Sequence, residues 1–358
     1  MSPQVPPETD VPPQTTVSLH GVHRAFAGNP ALAGVDLVVP EGSITVLLGP
    51  NGAGKTTAIR MITGALTADA GEVRTFGLDP TVDGEEVRRR CGIVSAKPAL
   101  YDRLDGWDNM RYSAELYGLG RNADVDVLIH DAADRFGIAH ALAQDVGGYS
   151  TGMKTRLALA RSVLHHPDLY LFDEPTSGLD PESSHAVLEL IRSMTGKGAT
   201  VVMCTHLLLE AEGLADQVVV LDAGVNLVNG TPLELSRRYW PHAVVRIDGP
   251  DRQAIAGVVD GAPGVLALDQ EGDGPLAVSI DDHVRVPDLV FSLAAAGVRV
   301  TRVEPYEPTL EDLYFAVRGR SRPGEVPRDS TPLEDGKVSS GNRIGRRFSD
   351  PFAAEQRP

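Results

Sequence analysis

Apolar positions along this chain come in short blocks separated by helix-like stretches. "TVSLHGV" (16–22) and "GVDLVV" (34–39) alternate apolar with polar residues, the pattern of strands in an antiparallel layer. "SITVLLG" (43–49) is more continuous and runs into a Gly-rich turn and then a helix-like segment. "CGIVSA", "DLYLFDE", "ATVVMCT" and "QVVVLD" are further short apolar blocks, and helical stretches separate most of them. Such alternation predicts an α/β core with a largely parallel sheet. From about Pro98 to His166 the pattern is helix-like with no good strand, and this reads as a helical insertion. The character changes after residues 229–235. "AVVRID", "LAVSI" and "VRVTRVEP" read as strands and "DLVFSLAAAG" as a helix, a small α+β appendage over about 239–320. The core is expected over 15–238. Residues 1–14 are rich in Pro, Thr and Gln, and 321–358 are polar with Pro, Ser and Gly, so both are expected to be disordered.

Composition narrows the class. The chain has 358 residues, 42% hydrophobic and 23% charged, enough for a sizeable core and a two-domain prior. Its net charge of -16 argues against a nucleic-acid partner, which calls for a basic footprint. "KVSSGNRIGRR" (337–347) carries four basic residues and no acid; it reads as a solvated tail, with attraction to anionic lipid heads as the alternative. Two cysteines, Cys91 and Cys204, sit far apart in apolar stretches and read as buried thiols in a reducing compartment. No apolar run approaches the roughly 18 to 20 residues of a membrane helix. The first residues lack the basic-then-apolar order of a secretory signal. Membrane work would therefore need a spanning partner.

The chemistry begins at "GPNGAGKTT", Gly49 to Thr57, which fits G-x-x-x-x-G-K-[ST] between a strand and a helix. Gly49, Gly52 and Gly54 let the backbone of Pro50, Asn51 and Ala53 curl, so that N–H groups converge on phosphate oxygens. The helix N-terminus adds a positive end. Lys55 is expected to reach the β- and γ-phosphates, and Thr56 to bind Mg2+ through its hydroxyl. "LYLFDE" (169–174) is a strand ending in two acids. Asp173 is placed to hold the metal and Glu174 to act as general base on the attacking water. "VVMCTH" (201–206) ends in His206, at the carboxyl end of a neighbouring strand, where it faces the nucleotide crevice.

"YSTGM" (149–153) opens an amphipathic helix whose Met153, Leu157, Ala160 and Leu164 form one apolar stripe. Ser150 is suited to cap it and Gly152 to let a backbone come close. This is a second anion-binding turn in a chain that already has one. It makes sense if it completes the pocket of another copy, two ATP molecules lying between head-to-tail partners.

In this order, over roughly residues 15–235, the chain resembles the nucleotide-binding subunit of an ATP-binding cassette (ABC) transporter. "YSTGMK" is similar to the family's Leu-Ser-Gly-Gly-Gln signature; Tyr149, Thr151 and Met153 depart from it, while Ser150 and Gly152 remain. The resemblance implies a P-loop NTPase core with an antiparallel β layer, ATP and Mg2+ as ligands, and a homodimer working with a separate membrane permease at the inner face of the cell membrane. It assigns Asp180, in "DEPTSGLD", to contact with the opposite subunit, His206 to the switch histidine, and Phe26 to stacking on adenine, with a core role as the alternative for that ring. The family usually carries a Gln before the helical insertion, at a position that here is Ala96. "YDRLDGWD" (101–108) lies where such subunits meet the permease, or else serves the insertion's own core. "EPTLEDLYFAVRGR" (307–320) is similar to the C-terminal end of drug- and antibiotic-exporter ATPases. The resemblance thus implies an exporter of drug-like or lipid-like compounds; the alternative is a soluble cassette ATPase acting on a ribosome or nucleic acid.

Overall fold

A computed structural model describes residues 14–120, 122–196, 198–240, 242–269 and 275–320. The expected disordered arm, apart from Gln14, and the expected tail with its basic stretch lie outside the described residues. By their contacts the described residues divide into two compact units, one running up to Pro232 and resuming at Val317, the other from Leu233 to Ala316.

The first unit opens with a long hairpin, β1 (Thr15–Phe26) and β2 (Asn29–Pro40). Its two-residue turn, Ala27 and Gly28, has positive φ at both positions, which matches the twist of the paired strands. β3 (Ile44–Leu48) is buried at every residue and leads into α1 (Lys55–Ile62). β4 (Ala70–Thr75) joins the hairpin to give an antiparallel sheet, β2-β1-β4. After α2 (Gly84–Arg89) and β5 (Cys91–Val94) the chain leaves the sheet for α3 (Gly106–Leu116), α4 (Ala123–Arg135) and α5 (Thr151–Ser162). No strand is assigned among the described residues of that insertion. The chain returns as β6 (Leu169–Asp173), α6 (Pro181–Thr195), β7 (Thr200–Thr205), α7 (Leu208–Glu212), β8 (Gln217–Asp222) and β9 (Val225–Gly230), followed by α8 (Pro232–Tyr239).

The main sheet has the order β5-β6-β7-β3-β8-β9 and is parallel except for its last pair. β3, β6 and β7 are buried on both faces, so their apolar runs are continuous rather than alternating. The hairpin sheet packs its inner residues, among them Leu19, Val35 and Leu37, into the same core as Leu47, Leu171 and Val219. The expected stripe on α5 is wider than drawn. Leu157, Ala158, Leu159 and Ala160 are all buried, because α5 is central in the insertion, and Leu164 falls beyond the helix end.

The second unit runs β10 (Ala243–Asp248), α9 (Arg252–Val259), β11 (Val265–Asp269), β12 (Leu276–Ile280), α10 (Val286–Ala295) and β13 (Arg302–Tyr306), with α11 (Leu310–Arg320) starting after it. The order β11-β12-β10-β13, antiparallel throughout, is the split βαβ arrangement of a ferredoxin-like fold. Val245, Ile247, Ile255, Val278 and Leu293 make its core. α9 and β11 were not anticipated from the sequence. At the start of α11, Thr309 and Asp312 bond each other's backbone N–H reciprocally, a capping box.

One buried amide organises the loop that enters the insertion. Asn109, 1% exposed, accepts from Tyr101 N and donates to the carbonyls of Tyr101, Leu104 and Asp105. Asn109→Ala leaves buried backbone groups unpaired, each costing about 1–3 kcal/mol. Denaturant titration is expected to show a loss of about 2–4 kcal/mol for this variant, and a loss under ~0.5 kcal/mol would contradict the assignment.

Candidate functional site

Three adjacent strands deliver the chemistry to one edge. In the parallel register Leu48 of β3 lies beside Thr205 of β7, and Cys204 of β7 beside Asp173 of β6. Side chains that follow those strands therefore converge where an open α/β sheet binds ligands, beyond its carboxyl ends.

The loop after β3 is shaped by close packing. Gly54 has φ +107, and a Cβ there would stand 2.5 Å from Leu32 Cδ2 and 2.7 Å from Ala31 O, so only glycine fits. Ala53 N donates to Pro50 O, and Gly224 N donates to Ala53 O from the β8–β9 turn. Lys55 is 5% exposed; its Nζ donates to Gly49 O at 2.7 Å and to Pro50 O at 3.2 Å, and stands 3.6 Å from Glu174 Oε1. The ammonium is thus parked on the loop's own carbonyls. Asn51, Gly52 and Thr57 lie on the same loop and helix start.

Thr56 Oγ1 donates to Asp173 Oδ2 at 2.7 Å. A hydroxyl and a carboxylate oxygen so paired are hard donors of the kind Mg2+ takes, so the residues present fit that ion. Glu174 does not continue β6. Its φ is +53, a left-handed conformation that costs about 1–3 kcal/mol in a non-glycine residue and persists only when neighbours fix it. Glu174 N donates to Cys204 O and Ser177 N donates to Glu174 O, which hold that geometry. Glu174 Oε1 lies 3.2 Å from His206 Nδ1. The two acids are adjacent in sequence, and the turn at Glu174 sends them to different partners. Cys204, fully buried behind these groups, has its thiol pushed well up by burial and then by the charge of Asp173, so it stays protonated and inert.

Ser150 caps α5, its hydroxyl accepting from Met153 N. A Cβ on Gly152 would stand 3.8 Å from both Leu179 Cδ2 and Ser183 Oγ and 4.0 Å from Ser150 Oγ, none of them in the phosphate loop. Within one chain the two anion-type turns are not brought together there. Tyr149, a departure from the signature, is a core residue. Its hydroxyl donates to Ala141 O at 2.6 Å, and a Cβ on Gly106 would stand 2.4 Å from that oxygen. Asp180 caps α6, accepting from both Ser183 N and Ser183 Oγ. Phe26 ends β1, 44% exposed, with the Arg24 guanidinium 5.1 Å from its ring centre and Arg24 bonded to Asp69. Ala96 is exposed two residues beyond β5, whose Val94 pairs with Phe172 at the same sheet edge. Tyr101 is half exposed and packs edge-on against Tyr112.

This fold and this edge define a P-loop nucleotide triphosphatase. A family model described as "ABC transporter" matches residues 32–177. The daunorubicin resistance ATP-binding protein DrrA3 of Streptomyces coeruleorubidus is 34% identical over 86% of this chain and 97% of its own. The Nod factor export ATP-binding protein I of Rhizobium meliloti (strain 1021) is 30% identical over 86% of this chain and 89% of its own. A solved structure described as an ATP-binding subunit of an ABC transporter has 30% identity and a TM-score of 0.58 over 63% of this chain and 93% of that one. The chain belongs to the ATP-binding subunits of ABC transporters. It binds ATP with Mg2+ and hydrolyses it, and subunits of this kind dimerise and pair with membrane permeases. None of these relatives favours the soluble, non-transport alternative. Among the described residues no helix is long and apolar enough to cross a membrane.

Sequence reasoning did not single out Glu210. Its carboxylate accepts from Thr205, five residues before it, and from Thr176, thirty-four residues before it, and the second link carries no local signal.

Two outcomes follow from this geometry. Ser183's N–H and hydroxyl hold the Asp180 carboxyl below its usual range. A lowered folded pKa means that the cap's contribution is complete above the unfolded value of about 4 and is lost as pH falls through the folded one. Acid denaturation of Asp180→Ala should therefore show a smaller stability loss than the parent as pH falls below about 4, whereas superimposable profiles would contradict the cap. Ala96→Gln, which supplies an amide at this sheet edge, is expected to raise ATP turnover; steady-state assays giving equal or lower kcat would count against a role for that position.

Proposed function

We propose that this chain is the motor of an exporter of drug-like or lipid-like compounds. It would work as a homodimer on the cytoplasmic side of a separately encoded permease. The observation that carries the reading is the cluster of Lys55, Glu174 and His206 beside the Thr56–Asp173 pair, with Ser150 on a different element, as the cap of α5. The names of the relatives supply the direction and the kind of cargo by analogy.

On binding, the phosphate chain of ATP would draw the Lys55 ammonium from the carbonyls of Gly49 and Pro50 onto the β- and γ-phosphates. The loop's N–H groups from Gly49 to Thr57 would take the remaining oxygens, and Phe26 would stack on adenine. Thr56 and Asp173 would hold Mg2+, which neutralises phosphate charge. Glu174 takes the proton of the attacking water as its oxygen bonds to the γ-phosphorus and the bond to the bridging oxygen breaks. ADP and phosphate are the products. His206 steadies Glu174 Oε1 and orients the water. The Ser150 hydroxyl and the N–H of Gly152 at the start of α5 would close over the γ-phosphate of a partner's ATP, with Asp180 near the joint.

Glu174→Gln keeps the carbonyl but cannot take the proton. With ATP and Mg2+ it is expected to lose turnover by at least about 100-fold, in line with a general base. It is also expected to run at twice the monomer mass in light scattering, alone or with its permease. Single copies throughout would overturn the clamp. With the permease co-expressed, the parent chain and not this variant should lower cellular accumulation of a lipophilic dye.

A further inference from the structure

Thr176, Thr205 and Glu210 form a knot just behind the cluster. Thr176 Oγ1 donates to Glu210 Oε2 at 2.7 Å, and Thr205 Oγ1 donates to the same oxygen at 3.0 Å. Leu207 N in turn donates to Thr205 Oγ1 at 3.0 Å. Both threonines are buried, at 3% and 1% exposure. The knot flanks both groups of the Glu174–His206 pair. Thr176 is two residues past Glu174, in the turn that leads to Asp180. His206 stands between Thr205 and Leu207, so bonds on either side pin its backbone.

We propose that Glu210 is a positioning residue for hydrolysis: through one carboxylate oxygen it bolts the turn after Glu174 to the strand end that carries His206. Glu174 sits at φ +53 and relies on its surroundings to stay there. Its backbone bond to Cys204 O fixes one end of the turn, and Glu210 fixes the other. A displacement of residues 176–180 would then reach His206 through Glu210 without passing through bound nucleotide. This inference rests on the roles proposed above for Glu174 and His206.

The knot needs an acceptor with two lone pairs, not a charge, so Glu210→Gln and Glu210→Ala differ in what they remove. In the full chain, Glu210→Ala is expected to lower kcat about 10-fold with KM for ATP within 2-fold of the parent, whereas Glu210→Gln keeps at least half of the parent kcat. Rates are referred to the fraction of protein that binds a fluorescent ATP analogue, so that misfolded protein does not count. Thr176→Val, which removes one donor, is expected to lower kcat about 3- to 10-fold, and it carries the test if Glu210→Ala does not fold. Adding Glu210→Ala to Glu174→Gln should lower the residual rate by less than 2-fold, because a base that is absent cannot be misaligned. Unchanged kcat in Glu210→Ala or Thr176→Val, or a Gln variant as slow as the Ala variant, overturns the inference. A Glu174→Gln control with full turnover sinks the assignment of the base, and this inference with it. An inactive control beside an unimpaired Glu210→Ala sinks this inference alone.

Discussion

The parallel pairing of β6, β7 and β3 is the constraint on which the rest depends. Parallel strands share a direction, so their carboxyl ends share an edge. The register Asp173–Cys204 and Thr205–Leu48 brings a metal-type oxygen and a histidine to the edge that holds the phosphate loop, whose Thr56 lies 117 residues before Asp173. A one-residue slip in either pairing would turn the side chains to the opposite faces. β3, β6 and β7 are buried along their whole length, so all three lie inside the core rather than at its surface.

Charge at that edge is handled by enclosure rather than by exposure. Lys55 is almost fully buried, yet it has two carbonyls and a carboxylate within reach, so its charge is not left unpaired. Two carbonyl hydrogen bonds to an ammonium are exchangeable for phosphate oxygens of greater charge, which is why the parked arrangement does not compete strongly with ligand. Glu174 is bent out of its strand at an energetic cost, and the result is a carboxylate that meets Lys55 and His206 together rather than Asp173's hydroxyl partner. The strain gives two adjacent acids different partners.

Local chemistry was legible in the sequence wherever a motif is contiguous. The strands around 43–49, 168–174, 199–205 and 217–222 all form, and so does the helix that Ser150 caps. Three things escaped. α9 and β11 are short and their apolar pattern is ambiguous between helix and strand, which hid the ferredoxin-like order of the second unit. The conformation of Glu174 is imposed by its neighbours and runs against strand alternation. One partner of Glu210, Thr176, lies thirty-four residues away on another segment, and a hydrogen bond between distant side chains leaves no periodicity to read.

Tyr149 shows how a departure from a signature is absorbed. Where the family usually has an aliphatic residue, this chain carries a phenol in the insertion core, and burial raises its pKa above the ordinary range. A buried hydroxyl requires a partner and space. Ala141 O is the partner, and the missing side chain of Gly106 is the space. Gly106 also opens α3, directly after the loop that Asn109 anchors. The signature turn is thereby tied through Tyr149 to the loop at 101–105, and Lys154 adds an ion pair to Asp102 from one turn further along α5. Two side-chain links, one buried and one at the surface, thus join the start of α5 to that loop. With Tyr149 seated in the core, Ser150 still caps α5 through Met153 N.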